Sequence, residues 1–330
     1  MRVGIFSEAR GLERLPYDLQ FRRVGENTGN LIFMRALEKL FSPKFIAPEW
    51  EGAPRADEIG DCDAFITTEL IWMREGDTFD SVARTLKAIG DRPLIPISVG
   101  LQTDERRWDF KPSREALRLL SEMSERCVIG TRGYYTAEIL AKNGIKRVRP
   151  IGCPSIFYKR VYRPKKPSRD YRGVCGFSTL WRPLNEKEIR LMRYLRSNDM
   201  TLVEQTGLYD LEPHAEFDHW LTARRRIFFS TAEWDRFLDG FDFYIGMRFH
   251  GGVAAMQRGL PALFITSDSR TEELCEFFSL PALPLSKFDD SRAPAHYAAA
   301  GHPADFLREY PSLKENFREF AKENGLKVRL

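Results

Sequence analysis

The chain has 330 residues, of which 43% are hydrophobic and 12% aromatic. That suffices for apolar cores in two domains of about 150 residues each and excludes a disordered chain. Lys and Arg number 51 against 47 Asp and Glu, a net charge of +4, too mild for a dedicated nucleic-acid binder.

The N-terminal octet Met1-Arg2-Val3-Gly4-Ile5-Phe6-Ser7-Glu8 has no apolar core of the kind a signal peptide needs. No window approaches the roughly 18 apolar residues of a spanning helix. Five cysteines (Cys62, Cys127, Cys153, Cys175 and Cys275) lie far apart with no C-x-x-C spacing. The expectation is a protein of the reducing cytoplasm, with neither a disulfide framework nor a structural metal.

Short apolar runs then alternate with amphipathic stretches. Arg2–Phe6 reads as a strand, and Asn30–Leu40 as a helix with Leu31, Met34, Leu37 and Leu40 on one face. Strands are predicted at Asp63–Thr67, Leu94–Gly100, Cys127–Gly130 and Lys146–Ile151. The helices between them are Thr78–Ile89, Pro112–Met123 and Tyr134–Lys142. Lys159–Arg172, basic and carrying Pro164 and Pro167, reads as a linker. The alternation restarts with strands at Gly173–Phe177, Thr201–Glu204, Phe241–Ile245 and Ala262–Thr266. Its helices are Glu186–Arg196, Ala232–Leu238, Gly251–Gln257 and Thr271–Phe278. Leu313, Phe317 and Phe320 mark the apolar stripe of a helical tail. Such β-α alternation predicts parallel sheets covered on both faces. The expected division is a Rossmann-like unit over 1–165, a second over 166–286, and a tail over 287–330 that could cross back to the first.

Ligands collect at the carboxyl ends of strands in open parallel sheets, and this position rule filters the candidate residues. Asp61-Cys62-Asp63 has the D-x-D form of a metal motif but precedes its strand, so no metal site is expected. Thr68 and Glu69 lie at the useful end. After the strand that ends near Gly246, Arg248 and His250 emerge two residues apart. Gly251 and Gly252 then open a helix where a ligand could approach the backbone. Arg270 follows the next strand, and Arg132 follows Cys127–Gly130. The loop Val24–Asn30 lacks G-x-G-x-x-G and G-K-[ST], so neither a dinucleotide site nor a P-loop is supported. His214, His219, His296, His302 and the run Arg224-Arg225-Arg226 read as surface.

With these segments placed, the chain resembles the polysaccharide pyruvyl transferase family. The block Gly246-Met247-Arg248-Phe249-His250-Gly251-Gly252, continuing to Ala255, Gly259 and Pro261, is similar to that family's Arg-x-His signature. Asn27-Thr28-Gly29-Asn30 is similar to its N-x-G-D loop, Ser98-Val99-Gly100 to its S-x-G strand end, and Thr131-Arg132-Gly133 to its helix-opening arginine. The pattern is broken at four places. Asn30 and Cys153 stand where Asp is usual, Thr67-Thr68-Glu69 where a Gly-Gly pair is usual, and Arg270 where Lys is usual.

The resemblance implies a two-domain fold like the GT-B glycosyltransferases. It implies phosphoenolpyruvate as donor and a glycan or lipid-linked oligosaccharide as acceptor, with no cofactor and no nucleic acid. It also allows peripheral contact with the inner membrane surface. His250 and Arg248 would be catalytic. Arg132, Arg270, Asn27, Gly29, Ser98, Glu69 and Gly251 would bind substrate. Whether His250 serves as acid, base or both stays open. So do two rivals, a nucleotide-sugar glycosyltransferase of the same architecture and a non-catalytic glycan-binding protein.

Overall fold

The computed structural model describes residues 1–7, 9–46, 56–166, 171–177, 183–207 and 214–330. The first sheet is parallel and consists of β1 (Val3–Phe6), β2 (Lys44–Ile46), β3 (Ala64–Thr67) and β4 (Leu94–Pro96), in the order β2-β1-β3-β4. A bridge between Val99 and Thr131 continues it in the same direction. It leads to the parallel pair β5 (Ile129–Thr131) and β6 (Val148–Pro150).

The second sheet is also parallel. Its strands are β7 (Gly173–Gly176), β8 (Thr201–Val203), β9 (Arg225–Arg226), β10 (Phe243–Gly246), β11 (Ala262–Thr266) and β12 (Ala282–Pro284), in the order β12-β11-β10-β7-β8-β9.

Helices α1 (Tyr17–Arg23), α2 (Asn30–Phe41), α3 (Ala56–Gly60), α4 (Asp80–Ile89), α5 (Arg114–Arg126) and α6 (Tyr134–Lys142) accompany the first sheet in sequence. Helices α7 (Glu186–Ser197), α8 (Asp218–Arg224), α9 (Thr231–Leu238), α10 (Phe249–Gln257), α11 (Ser269–Phe277) and α12 (Pro294–Ala300) accompany the second, and α13 (Ala304–Glu323) ends the chain. The inner strands are buried along their length, as β3 and β10 are. Helices on both faces make such strands continuous apolar runs rather than alternations, which is why they were visible as runs. The α/β class, the parallel sheets and the helical tail are those the sequence predicts.

The differences have local causes. β2 and β12 are three-residue edge strands with partly exposed side chains. β9 is two exposed arginines at the other edge of its sheet, so its sequence reads as a solvated loop. α1, α3 and α8 are short and were not anticipated. Helix α2 buries Ile32, Phe33, Ala36 and Phe41 as well as the predicted stripe. It packs against α9 and α10 of the second unit besides the segment Pro154–Tyr158, so a single stripe understates its contacts. Helix α10 begins at Phe249, two residues earlier than predicted. Residues 167–170 of the basic stretch fall outside the described residues.

One apolar core joins α2, α10 and α13, through Phe33, Leu37, Val253, Met256, Phe317 and Phe320. A separate core on the second sheet gathers Phe177, Leu191, Leu202, Phe217 and Ile265. The tail helix packs on the first unit. Phe317 stacks on Phe157 at 4.5 Å, and Arg149 pairs with Glu319 and Glu323 at 2.9 and 2.7 Å. Among the described residues no helix is long and apolar enough to cross a membrane.

Candidate active site

In the second sheet the chain runs outward from β7 to β9, then returns to β10 and runs outward the other way. The crevice beyond the carboxyl ends of β7 and β10 is therefore the switch point, where such sheets bind ligands. The two strands meet there without side chains between them. A Cβ on Gly246 would lie 2.1 Å from the Gly176 carbonyl oxygen. Arg248 is the N-cap residue of α10. Its Nε donates to the Phe177 carbonyl at 3.0 Å, and its guanidinium also donates to the Thr206 hydroxyl. Three strand exits thus hold one guanidinium.

His250 sits in the first turn of α10 beside Phe33, with ring centroids 6.1 Å apart. Its Nε2 is 3.4 Å from the Cys153 Sγ, which is 3.1 Å from the Ser155 hydroxyl. Burial, then the charges of Arg132, Arg270 and Arg248, pushes the imidazole down to about 3. It is neutral at physiological pH, where its ordinary value of 6.5 would leave a minority of imidazoles charged.

Arg132, 6% exposed, comes from the first unit. Its Nε donates to the Ser98 carbonyl at 3.3 Å, and Ser98 holds φ at 67°, a left-handed conformation that costs a non-glycine residue about 1–3 kcal/mol. Glycine at 100 is required by the same contact, since a Cβ there would be 2.4 Å from Arg132 Cδ. Arg132 and Arg248 are each lowered to about 10, first by burial and then by Arg270.

Arg270, in the first turn of α11, pairs with Asp268 at 3.1 Å. Asp268 also caps that helix by accepting from the Thr271 N–H at 2.8 Å. Burial raises the Asp268 carboxyl, but Arg270 and the Thr271 bonds outweigh it and the net shift is downward. Among the described residues Arg132 and Arg248 form no salt bridge. Gln205 Nε2 and Arg270 Nε are buried without a hydrogen-bond partner there. Clustered guanidiniums and unsatisfied buried donors are what an anion with several oxygens would satisfy.

The structure brings Arg132, Arg248, Arg270 and His250 together, and it sets Asn27, Gly29 and Ser98 beside them. The Asn27 carboxamide accepts from the Gly29 N–H at 3.0 Å. A Cβ on Gly29 would meet Gln205 Oε1 at 2.4 Å and His250 Cβ at 3.2 Å. Gly251 makes room for neighbouring side chains. A Cβ there would lie 2.7 Å from Gln205 Nε2 and 3.0 Å from the Tyr244 hydroxyl. Glu69 is elsewhere. It accepts from the Ser81 hydroxyl in a cavity at the ends of β1 and β3. Asp61 and Asp63 lie ahead of β3 and bond Arg2. No metal-holding group occurs among the described residues.

Several contributors were missed. Gln205 and Thr206 directly follow the predicted strand Thr201–Glu204, so the position rule was able to find them. Cys153 was visible only as a departure from Asp. Glu273-Leu274 is similar to a Glu-Leu pair of the family, which marks the position but not its partner. Glu273 reaches across from α11 to accept from the Thr136 N–H and hydroxyl, each at 2.7 Å, at the first turn of α6. Burial raises its carboxyl, against the Thr136 bonds and Arg132.

The family model described as polysaccharide pyruvyl transferase matches residues 81–269, which include Ser98, Arg132, Arg248 and His250. No curated protein matches the sequence significantly. Among solved structures, the S. aureus MnaA–UDP co-structure is 12% identical, with 98% of this chain and 91% of that chain covered and a TM-score of 0.46. The Methanocaldococcus jannaschii UDP-GlcNAc 2-epimerase, in complex with UDP-GlcNAc and UDP, is 9% identical over 96% and 100%, with a TM-score of 0.45. The UDP-N-acetylglucosamine 2-epimerase from Rickettsia bellii is 11% identical over 97% of each chain, with a TM-score of 0.39.

Proposed function

The chain belongs to the polysaccharide pyruvyl transferase family, and from that membership we propose that it moves the pyruvyl group of phosphoenolpyruvate onto two hydroxyls of a glycan or lipid-linked sugar. The observation that carries this reading is the set of three guanidiniums around one half-buried imidazole. Phosphoenolpyruvate bears a phosphate and a carboxylate. Arg132, Arg248 and Arg270 supply matching charge from both units, and Arg248 is oriented before any ligand arrives. These side chains are partly withdrawn from solvent, so their contacts with an anion are stronger than they would be in water.

In the proposed reaction the methylene carbon gains a proton and becomes methyl. One sugar oxygen bonds the central carbon, and the carbon–oxygen bond to phosphate breaks. The second sugar oxygen then closes the ketal. Of the two hydroxyl protons, one ends on the methyl carbon and the other leaves with phosphate. His250 is the carrier we assign, because a neutral imidazole accepts a proton from an attacking hydroxyl. As phosphate departs, the guanidiniums hold the charge it takes away.

We assign the donor chiefly to the second unit, 166–286, and the acceptor to the first, 1–165. We place the reaction on the cytoplasmic side. The exposed basic residues Arg160, Arg163, Lys165 and Lys166, with Val161 62% exposed among them, support contact with an anionic membrane surface.

Thermal unfolding with added phosphoenolpyruvate, UDP, GDP or CMP tests the donor. Phosphoenolpyruvate alone should raise the midpoint, since a ligand at 100 times its dissociation constant adds about 2.7 kcal/mol. Stabilisation by UDP or GDP with none by phosphoenolpyruvate would favour a nucleotide-sugar glycosyltransferase instead.

A further inference from the structure

The first sheet has its own switch point, between β1 and β3, and a cavity of about 480 Å³ opens there. Phe6 and Ser7 line it from the end of β1, and Thr68 and Glu69 from the end of β3. Trp72 stands at its wall 41% exposed, among the few large apolar side chains on the surface. Phe79 lies 5.8 Å from that indole and holds φ at 55°, a conformation rare for an aromatic residue. Phe33 also lines the cavity, and the same ring lies 6.1 Å from His250. The cavity and the imidazole are thus neighbours of a single phenyl group.

We propose that this cavity is a carbohydrate subsite that holds a sugar ring of the acceptor glycan next to the one being modified. The assignment of an acceptor rests on the transferase reading; the assignment of a sugar rests on the cavity. A hexopyranose offers an apolar C–H face and a rim of hydroxyls. Trp72 and Phe79 offer flat apolar surface to the face. The Glu69 carboxylate, the Thr68 hydroxyl and the Asn30 carboxamide offer acceptors and donors to the rim. A few polar groups set in an aromatic-lined pocket of this volume are the usual form of a small-molecule site. The three-arginine cluster lies outside this lining, and the cation within it, Arg23, is outnumbered by the carboxylates of Glu69 and Asp77, so a neutral ligand suits it better than a diphosphate.

Saturation-transfer NMR with the methyl glycosides of glucose, galactose, mannose and N-acetylglucosamine tests the subsite without phosphoenolpyruvate or turnover. At least one glycoside should show saturable transfer to its ring C–H protons. Trp72→Ala and Glu69→Gln should each weaken that binding about tenfold, or by about 1.4 kcal/mol. Trp72→Phe, which keeps an aromatic face, should retain part of it. Trp108→Ala removes an indole that is 53% exposed but lies outside the cavity, and should change nothing.

Absence of saturable binding by any glycoside would overturn the proposal. So would equal loss in Trp108→Ala, or stronger binding of uridine or adenosine than of every glycoside at the same indole. Glycoside binding in a protein that fails to bind phosphoenolpyruvate would leave the subsite standing and remove the transferase reading. Phosphoenolpyruvate binding without glycoside binding would do the reverse.

Discussion

Burial and three neighbouring guanidiniums give His250 a protonation state that it loses when the chain unfolds. Its folded value of about 3 lies below the ordinary value of 6.5. Between these limits the unfolded chain binds a proton that the folded chain does not, so stability rises with pH. The contribution is complete above about pH 6.5 and is lost as pH falls toward 3. Between pH 7 and pH 5 it amounts to about 2 kcal/mol. Urea midpoints of the wild type and His250→Gln should therefore diverge over that range, with the variant flatter. Parallel profiles would mean that the folded protein does not hold the imidazole neutral.

Kinetics separates the two signature residues. Arg248→Ala should raise the KM for phosphoenolpyruvate. It should also lower kcat if the Arg248 contact tightens as phosphate leaves. His250→Ala should still bind phosphoenolpyruvate and lose about 10²–10⁴-fold in kcat. A folded His250→Ala protein with native kcat would remove His250 from proton transfer. Because Glu69 lies in the other cavity, it is not the group that would take over.

At the scale of the element, two strands and one loop set the site by close approach. Gly246 and Gly176 face each other in register on β10 and β7. A methyl group at 246 would meet backbone atoms at 2.1–2.9 Å, which no side-chain rotation relieves. Gly246→Ala should cost about 1–3 kcal/mol or more in urea unfolding, as overpacking against backbone does. It should also weaken phosphoenolpyruvate binding by displacing Arg248. An alanine variant with native stability and affinity would show that the strands have slack.

These contacts also mark where sequence reading stops. The runs at β3, β10 and β11 are buried on both faces and announce themselves. Arg248 and His250 follow directly from the exit of β10, and Arg132 and Arg270 from the exits of β5 and β11. Helix α2 was legible as a helix but not as the piece shared by both units, because periodicity records one face at a time. Only packing shows that Gln205 and Tyr244 stand against Gly251. Glu273 caps a helix 137 residues away in the chain, a pairing that no local pattern encodes.

At the scale of the whole molecule, the site exists only while the two units are held together. Thr28 N–H donates to the Gln205 carbonyl at 2.8 Å, and Ser269 N–H to the Thr103 carbonyl at 3.0 Å. Glu273 completes the join at α6. The tail helix fastens the first unit from behind, with Phe317 and Phe320 fully buried. Phe317→Ala should cost about 3–5 kcal/mol by leaving a cavity between α2 and the segment around Phe157. Unfolding by heat should show that loss in one cooperative transition, because a single apolar core spans both units. A separate early transition confined to one unit would contradict the shared core.

The proposed donor site draws Arg132 from residues 1–165 and Arg248 and Arg270 from residues 166–286, so donor binding there would report on the whole arrangement. The most direct test is calorimetric titration of phosphoenolpyruvate into the wild type and its folded variants. Saturable binding is expected, weakened at least tenfold in both Arg132→Ala and Arg248→Ala and retained in His250→Gln. No saturable binding by the wild type, or native affinity in the folded arginine variants, would contradict a donor site among these guanidiniums.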